Sequence, residues 1–502
     1  MTHPPRPNVL LILLDDYGWA DTGCYGSTFY ETPNLDRLAK QGMLFTDAYA
    51  SCPVCSPTRA SIMTGKYPAT VGITNFIAGN PWGKLMGVPY FSALPHSETT
   101  LAQALKRGGY QTWHIGKWHV GGAGHEPHDF GFDINLGGCH WGHPKDGYFS
   151  PWNIPNYDDR DIPAGTYLTD HLTDRAIDLI ESRSGDGPWF MNLWHYAVHT
   201  PVQAPPELVE KYEKKRRELG LDKVEELREG EHFPSLHKRH LRIVRRLVQS
   251  HPAYAAMVEN IDANIGRVLE ALDRSGQADN TLVIFTSDNG GLSTAEGSPT
   301  TNKPLCEGKG WMYEGGTREP LLVRWPGVTQ AGSRCDVPVT STDFFPTILE
   351  AARLPAMPEQ HVDGVSLTPL LRGGDALDRE AIFWHYPHYS NQGDTPACAI
   401  RCGDYKLIEH FEDSRLELYN LREDISEEHD LAADEPELVR DLHQKLAAWR
   451  ESIEAKIPEP NADYEAMRSG AMEPGKGPGP FLPNEMPPAF RVGGPIPGDD
   501  HA

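Results

Sequence analysis

The run Val9-Leu10-Leu11-Ile12-Leu13-Leu14, closed by Asp15-Asp16, constrains the fold of this chain more than any other stretch. Six apolar residues are too few to cross a bilayer and too few for an ordinary helix. They are apolar at every position rather than at every second one, which is how a strand covered on both faces reads. Residues 110–115, 189–194 and 281–287 are similar runs. Helical patterns lie between them, at residues 34–41, 99–107, 170–183 and 251–275. In the last, Met257, Ile261, Ile265, Val268, Leu269 and Leu272 recur at helical spacing. Gly108-Gly109 supplies a helix stop. This alternation predicts an α/β architecture with a largely parallel sheet.

Each of these strands runs into residues that carry chemistry. The first delivers Asp15 and Asp16, and the second Lys117 and His119. The third is followed by His195 and His199, and the fourth by Asp288 and Asn289. Ligands of open α/β sheets bind outside the carboxyl ends of the strands, so these residues define a candidate site. Asp15, Asp16, Asp288 and Asn289 offer hard oxygen atoms, which suit Ca²⁺ or Mg²⁺ better than Zn²⁺. A lone Asp-Asp pair is more often a loop or a helix cap. Two acidic pairs, each after a buried strand, favour a metal. Lys117 and His119 are two apart, so an extended backbone would turn both to one side. His195 matches no catalytic position and is expected either behind the site residues or in the core.

Cys55-Ser56-Pro57-Thr58-Arg59 is the candidate for a nucleophile. Proline suits the first position of a helix, which would put Cys55 at a helix N-terminus among free N–H groups. Arg59 adds a permanent planar charge that suits an oxyanion. Cys52 and Cys55 form a C-x-x-C, but Pro53 and the lack of a thioredoxin-like context weigh against a redox pair.

The Cys-x-Pro-x-Arg phrase, followed by Met63-Thr64-Gly65, resembles the signature of the type I sulfatases. The likeness continues through His-Ile-Gly-Lys-Trp-His at 114–119, Ala-Val-His-Thr-Pro at 197–201 and Gly308-Lys309-Gly310 with Tyr313-Glu314-Gly315-Gly316. It covers residues 8–455. It implies the fold of the alkaline phosphatase superfamily: a large domain with a mostly parallel sheet between helices, and a small C-terminal α+β domain with an antiparallel sheet. It implies that Cys55 is converted to formylglycine by a formylglycine-generating or sulfatase-maturating enzyme. A divalent cation, usually Ca²⁺ with Mg²⁺ as the alternative, would bind Asp15, Asp16, Asp288, Asn289 and residue 55. Lys117 would hold the sulfate. His119 would contact the formylglycine and act as base in its regeneration. His199 and Lys309 would address the sulfate and its bridging oxygen.

The chain has 502 residues and a formal net charge of −24, which argues against non-specific nucleic-acid binding. An acidic surface also admits a small or chain-end anion more readily than the middle of a polyanion. The eight cysteines are spread over a large chain, so reduced thiols are expected rather than a disulfide framework. No signal peptide or membrane span is read, and a cytoplasmic location is the expectation. The expected organisation is a catalytic domain at 1–374, with a charged helical excursion at 207–248. A C-terminal sheet-and-helix domain follows at 375–456, then a Pro/Gly-rich tail at 457–502 that is a candidate intersubunit arm. His140, Trp141 and His143, with His385 and His388, combine aromatic faces with hydrogen bonders and are expected to meet a sugar. The predicted function is hydrolysis of a small-molecule or oligosaccharide sulfate ester, with a sulfated sugar preferred. The rivals are a phosphodiester or phosphonate monoester hydrolase of the same superfamily and a catalytically silent sulfate-binding homologue.

Overall fold

A computed structural model describes residues 5–79, 82–183, 187–472 and 480–485. The main sheet has nine strands. Eight run in the order Ser333–Cys335, Met43–Tyr49, Arg318–Arg324, Thr281–Ser287, Asn8–Leu14, Trp189–Trp194, Gln111–Gly116 and Ile134–Leu136. Val339–Thr340 also pairs with Met43–Tyr49. Asn8–Leu14 lies near the centre, parallel to Trp189–Trp194 on one side and to Thr281–Ser287 on the other. Arg318–Arg324 is antiparallel to both of its neighbours.

The central strand is apolar at every position because both faces of the sheet are covered. Leu10, Ile12 and Leu14 pack with the Leu168–Ser182 and Pro252–Arg274 helices. Val9, Leu11 and Leu13 pack with the Cys55–Thr64, Leu101–Arg107 and Phe344–Ala351 helices. Full burial of each such side chain stabilises the fold by about 1.5–3 kcal/mol. The Leu101–Arg107 helix starts with a capping box. Thr100 Oγ1 accepts from the Gln103 N–H at 3.2 Å, and Gln103 Oε1 accepts from the Thr100 N–H at 2.9 Å.

Residues 207–248 are only half helical, which corrects the expectation of a charged helical excursion. The Pro206–Glu218 helix is followed by an antiparallel hairpin of Leu227–His232 and Arg242–Arg246. The helix is also not free on all sides. Tyr212 is buried against Phe29, with ring centroids 5.6 Å apart. Lys211 bridges Glu31 and Glu259 at 2.5 and 2.6 Å. Dense charge hid the hairpin in the sequence, because Arg245 and Arg246 are turned to Glu231, Glu307 and Glu226 rather than to water.

A second sheet is built from Ala381–Tyr386, Ala397–Cys402, Tyr405–His410 and Arg415–Asn420, antiparallel and in sequential order. The Pro436–Ser452 helix covers one face through Leu442 and Leu446. The opposite face, with Ile382, Trp384 and Ala399, packs on Tyr49, Cys52, Val54 and Met312. The second sheet therefore braces the segment that leads into Cys55.

A buried ionic cluster joins the two sheets. Lys406 Nζ lies 2.9 Å from Glu314 Oε1 and 3.1 Å from Glu427 Oε1. Arg318 pairs with Glu314 and Asp47, and Arg401 pairs with Asp47. Burial pushes the Glu427 carboxyl up to about 8; Lys406 opposes the rise and Glu314 adds to it. A carboxyl raised in the folded state from its ordinary 4.5 stabilises the protein fully below pH 4.5. That contribution is lost as the pH rises from 4.5 through about 8. Glu427→Gln removes the titration. The variant is expected to lose less thermal stability than the wild type between pH 5 and pH 9, and equal losses would contradict the assignment.

The described parts of the tail pack on their own chain. Asn461 N–H donates to Lys84 O at 2.7 Å, and Met86 N–H donates to Glu459 O at 2.7 Å. Pro480–Phe481 pairs in parallel with Tyr90–Phe91. The intersubunit-arm expectation also falls on residues 473–479 and 486–502, which lie outside the described residues. Among the described residues, no helix is long and apolar enough to cross a membrane.

Candidate active site

Parallel register brings the four strand ends to one edge of the sheet. Leu13 is paired with Trp194 and Leu14 with Ser287, so the residues that follow emerge side by side. The Asp15 N–H donates to Ala197 O at 3.0 Å, and the Asp16 N–H donates to Asp288 Oδ1 at 3.3 Å. Gly116 ends its strand with φ +98°, and a Cβ there would lie 2.0 Å from Trp194 O. Only glycine permits that approach. The next N–H, from Lys117, donates to the same carbonyl at 2.7 Å.

Lys117 and His119 are both buried at the site, but not by the alternation of an extended strand. The strand stops at Gly116, and His119 has φ +57°. That turn brings His119 Nδ1 to 3.2 Å from Cys55 Sγ. Gly142 lies against the same imidazole, where a Cβ would come 2.6 Å from Cε1.

Cys55 is the first residue of its helix, after Val54, so Pro57 is third rather than first. The helix still presents its free N–H end beside the Cys55 side chain. Burial pushes the Cys55 thiol up, while Lys117 and Lys309 oppose the rise. An unmodified thiol here is neutral and a poor nucleophile.

The charges form interlocked pairs. Lys117 Nζ donates to Asp15 Oδ2 at 2.7 Å. Lys309 Nζ donates to Asp16 Oδ2 at 2.8 Å and to His199 Nε2 at 2.9 Å. Asn289 Nδ2 donates to Asp16 Oδ1 at 2.9 Å. Arg59 is wholly buried. Its Nε donates to Asp288 Oδ2 at 2.8 Å and its Nη1 to Lys117 O at 2.9 Å. The guanidinium is thus engaged with protein groups through Nε and Nη1, while its buried Nη2 lies 2.7 Å from Asp288 Oδ2.

Burial and surrounding charge set the protonation states. Burial pushes Asp16 up, but the positive groups around it, Lys309 and Lys117, reverse this and hold it below the usual carboxylate range. Burial lowers Lys309, but Asp16 together with the other groups around it, Glu296 and Asp15 among them, raises it by more, so the ammonium stays charged. Burial, with Lys117 and Arg59, holds His119 well below its ordinary value. His199 is brought down to about 3 by burial, against the pull of Asp16. Both imidazoles are neutral near pH 7. His199 Nδ1 lies 2.9 Å from Thr200 O, which assigns the proton to Nδ1 and leaves Nε2 to accept from Lys309.

The site offers a place for a hard cation. Asp15 Oδ1 and Asn289 Oδ1 are buried and have no hydrogen-bond partner among the described residues. Ligand atoms of Asp15, Cys55 and Asp288 lie within 4.8 Å of one another, as do those of Asp15, Asp16 and His199. Buried oxygens without donors, beside carboxylates gathered within 4.8 Å of one another, are the donor set a divalent ion satisfies.

A cavity of about 480 Å³ opens over Cys55. His140, Trp141 and His143 line it, with His119, His199 and Lys309. His385 and His388 do not. His385 alternates with Trp384 on its strand and faces Phe411, its Nε2 2.8 Å from Lys456 O. His388 is buried between Tyr90 and Tyr386, its Nε2 2.8 Å from Thr74 Oγ1. Both are packing residues. His195 is buried, and neither of its ring nitrogens has a hydrogen-bond partner among the described residues. All eight cysteines are free. Thr200, Glu296, Asn391 and Gln392 also line the cavity. They lie in irregular loops, where no period marks them.

This is the architecture and acidic pocket of a phosphate- or sulfate-ester hydrolase. The sequence pattern of the sulfatase family matches residues 7–354, and that of the N-sulphoglucosamine sulphohydrolase C-terminal region matches residues 307–452. The chain belongs to the type I sulfatase family of the alkaline phosphatase superfamily, and it is a sulfatase. It is 32% identical to a sulfatase of Formosa agariphila, over 88% of each chain. It is 34% identical to human N-acetylgalactosamine-6-sulfatase, over 81% of this chain and 72% of that one. Among solved structures it is similar to Ps i-CgsB in complex with k-i-k-neocarrahexaose. There the TM-score is 0.72 at 28% identity, over 93% of this chain and 98% of the other.

Proposed function

We propose that this sulfatase hydrolyses the sulfate ester of a small or chain-end sulfated sugar, with Cys55 in its formylglycine form and a divalent cation, Ca²⁺, held by Asp15, Asp16, Asp288, Asn289 and residue 55. One observation carries the reading. Two buried oxygens without donors, at Asp15 and Asn289, lie among carboxylates beside a helix-start residue whose own thiol is protonated. A bound cation supplies Lewis acidity at residue 55 and at a sulfate oxygen. The formylglycine form, made by a maturating enzyme, supplies a hydroxyl nucleophile where a buried neutral thiol supplies none.

The rest follows from the chain's own groups. Lys309 lines the cavity over Cys55, Lys117 is buried on Asp15, and the helix N-terminus adds N–H groups, so charge developing on a sulfate is stabilised. His119, neutral and facing position 55, is placed to take a proton there. His199 has its Nε2 occupied as an acceptor, so Lys309 Nζ is the donor aimed at the leaving alcohol. Arg59 fixes Asp288 rather than the substrate. In this reading residues 1–374 carry the chemistry, and residues 375–456 brace the Cys55 segment.

The sugar class is supported by the two relatives named for, or solved with, carbohydrates. Trp141 with His140 and His143 offers a ring face edged by hydrogen bonders. Turnover of a panel of sulfated monosaccharides and oligosaccharides, set against nitrophenyl phosphate and phosphonate esters, tests the assignment. Preference for the phosphorus esters would overturn it. Lys309→Ala is expected to lower kcat about 10²–10³-fold on a sugar sulfate. The loss should be clearly smaller on nitrophenyl sulfate, whose leaving group needs no proton. Equal losses on both would remove Lys309 from the donor role.

A further inference from the structure

Glu296 is the one carboxylate among the described residues that line the Cys55 cavity. It is also a wall of a second cavity of about 500 Å³, which shares His143, Lys145 and Thr200 with the first and adds His251 and Pro299. A negative charge at the mouth of a pocket for an anionic ester opposes binding unless it contributes to recognition. Glu296 is exposed and has no ion-pair partner within 4.0 Å among the described residues. The cations around it are engaged elsewhere. Lys309 is on Asp16 and His199, Lys238 donates to Asn391 O at 2.8 Å, and Lys145 lies over the Trp141 ring at 5.0 Å. Glu296 has φ +53°, a left-handed conformation that a non-glycine residue adopts at a cost. Its oxygens accept from Gln392 Nε2 at 3.1 Å and from Thr200 Oγ1 at 3.3 Å. Those bonds fix the carboxylate between two loops and use two of its roughly four acceptor positions.

Resting on the sulfatase reading above, we propose that Glu296 is a specificity-determining residue. Its carboxylate accepts hydrogen bonds from hydroxyl groups of the sugar next to the sulfate ester, and it rejects substrates that carry a second anion there. The substrate class is then a monosulfated sugar with neutral surroundings rather than a densely sulfated one.

The test compares wild type, Glu296→Gln and Glu296→Ala on a monosulfated hexosamine and on the same sugar with one added sulfate. The ratio of kcat/KM, disulfated over monosulfated, is expected to rise on the order of tenfold in Glu296→Gln, which keeps the size and one acceptor but not the charge. An unchanged ratio in Glu296→Gln, with both substrates lowered alike in Glu296→Ala, would make Glu296 a strut between loops and overturn the proposal. A wild type that hydrolyses nitrophenyl sulfate while the ratio stays flat overturns the Glu296 role alone. A wild type that hydrolyses no sulfate ester, although mass spectrometry finds the aldehyde at position 55, overturns the sulfatase reading and this proposal with it.

Discussion

Cys55→Ala is expected to abolish sulfate-ester turnover, with a loss on the order of 10⁴–10⁶-fold, and to leave the fold intact. The substitution removes one buried sulfur whose only polar side-chain partner among the described residues is His119. The helix it starts is held by Ala60, Ile62 and Met63 in the core and by Thr58 Oγ1 donating to Cys52 O at 3.0 Å, and none of these changes. Stability should fall by about 1 kcal/mol. Nitrophenyl sulfate turnover and the thermal midpoint, measured on the same preparation, check both halves. Turnover within about tenfold of wild type would show that position 55 is not the nucleophile. A collapse of the midpoint would mean that the lost activity reports on folding. The peptide mass of wild-type position 55 completes the experiment, since an aldehyde and a thiol differ in mass.

Arg59→Met should be the most destabilising single change at the site. Arg59 and its partner Asp288 are both wholly buried, Arg59 Nη2 is 2.7 Å from Asp288 Oδ2, and Asp15 is 3.9 Å away. Methionine fills similar volume but leaves Asp288 without a counter-charge. Breaking one partner out of a buried pair costs about 3–5 kcal/mol. That loss is expected in chelator-treated protein. With Ca²⁺ added it should be smaller, because an ion on the same carboxylates takes over part of the neutralisation. Arg59→Lys keeps the charge but not the planar fork, and should fall between. Identical losses with chelator and with Ca²⁺ would argue against a cation shared by Asp15 and Asp288.

The acidic residues that were legible in the sequence share one property: each pair follows a buried, largely apolar run. Asp15, Asp16, Asp288 and Asn289 follow strands buried on both faces, so their clustering could be inferred from the ends of parallel strands. Lys117 and His119 were legible as positions but not as geometry, since His119 reaches Cys55 through a left-handed turn that no residue pattern announces. His385 and His388 show the limit of aromatic-rich phrases. The same composition serves a sugar face or a packed strand, and here the alternation with Trp384 turns His385 away from the cavity. Residues 207–248 failed for a related reason. Charged side chains paired with distant carboxylates look, in sequence, like charges in water.

By itself the sequence determined a largely parallel sheet covered on both faces, a line of titratable residues at its carboxyl edge and a nucleophile candidate at a helix start. Those features depend on short-range pattern, and short-range pattern survives in one dimension. Only the tertiary structure decided that Arg59 belongs to Asp288, that both imidazoles are neutral, that two oxygens at Asp15 and Asn289 lack donors and that Glu296 stands at the pocket mouth. Each depends on the distance between groups far apart in the chain and on the exclusion of water between them, which come into being only when the chain is folded.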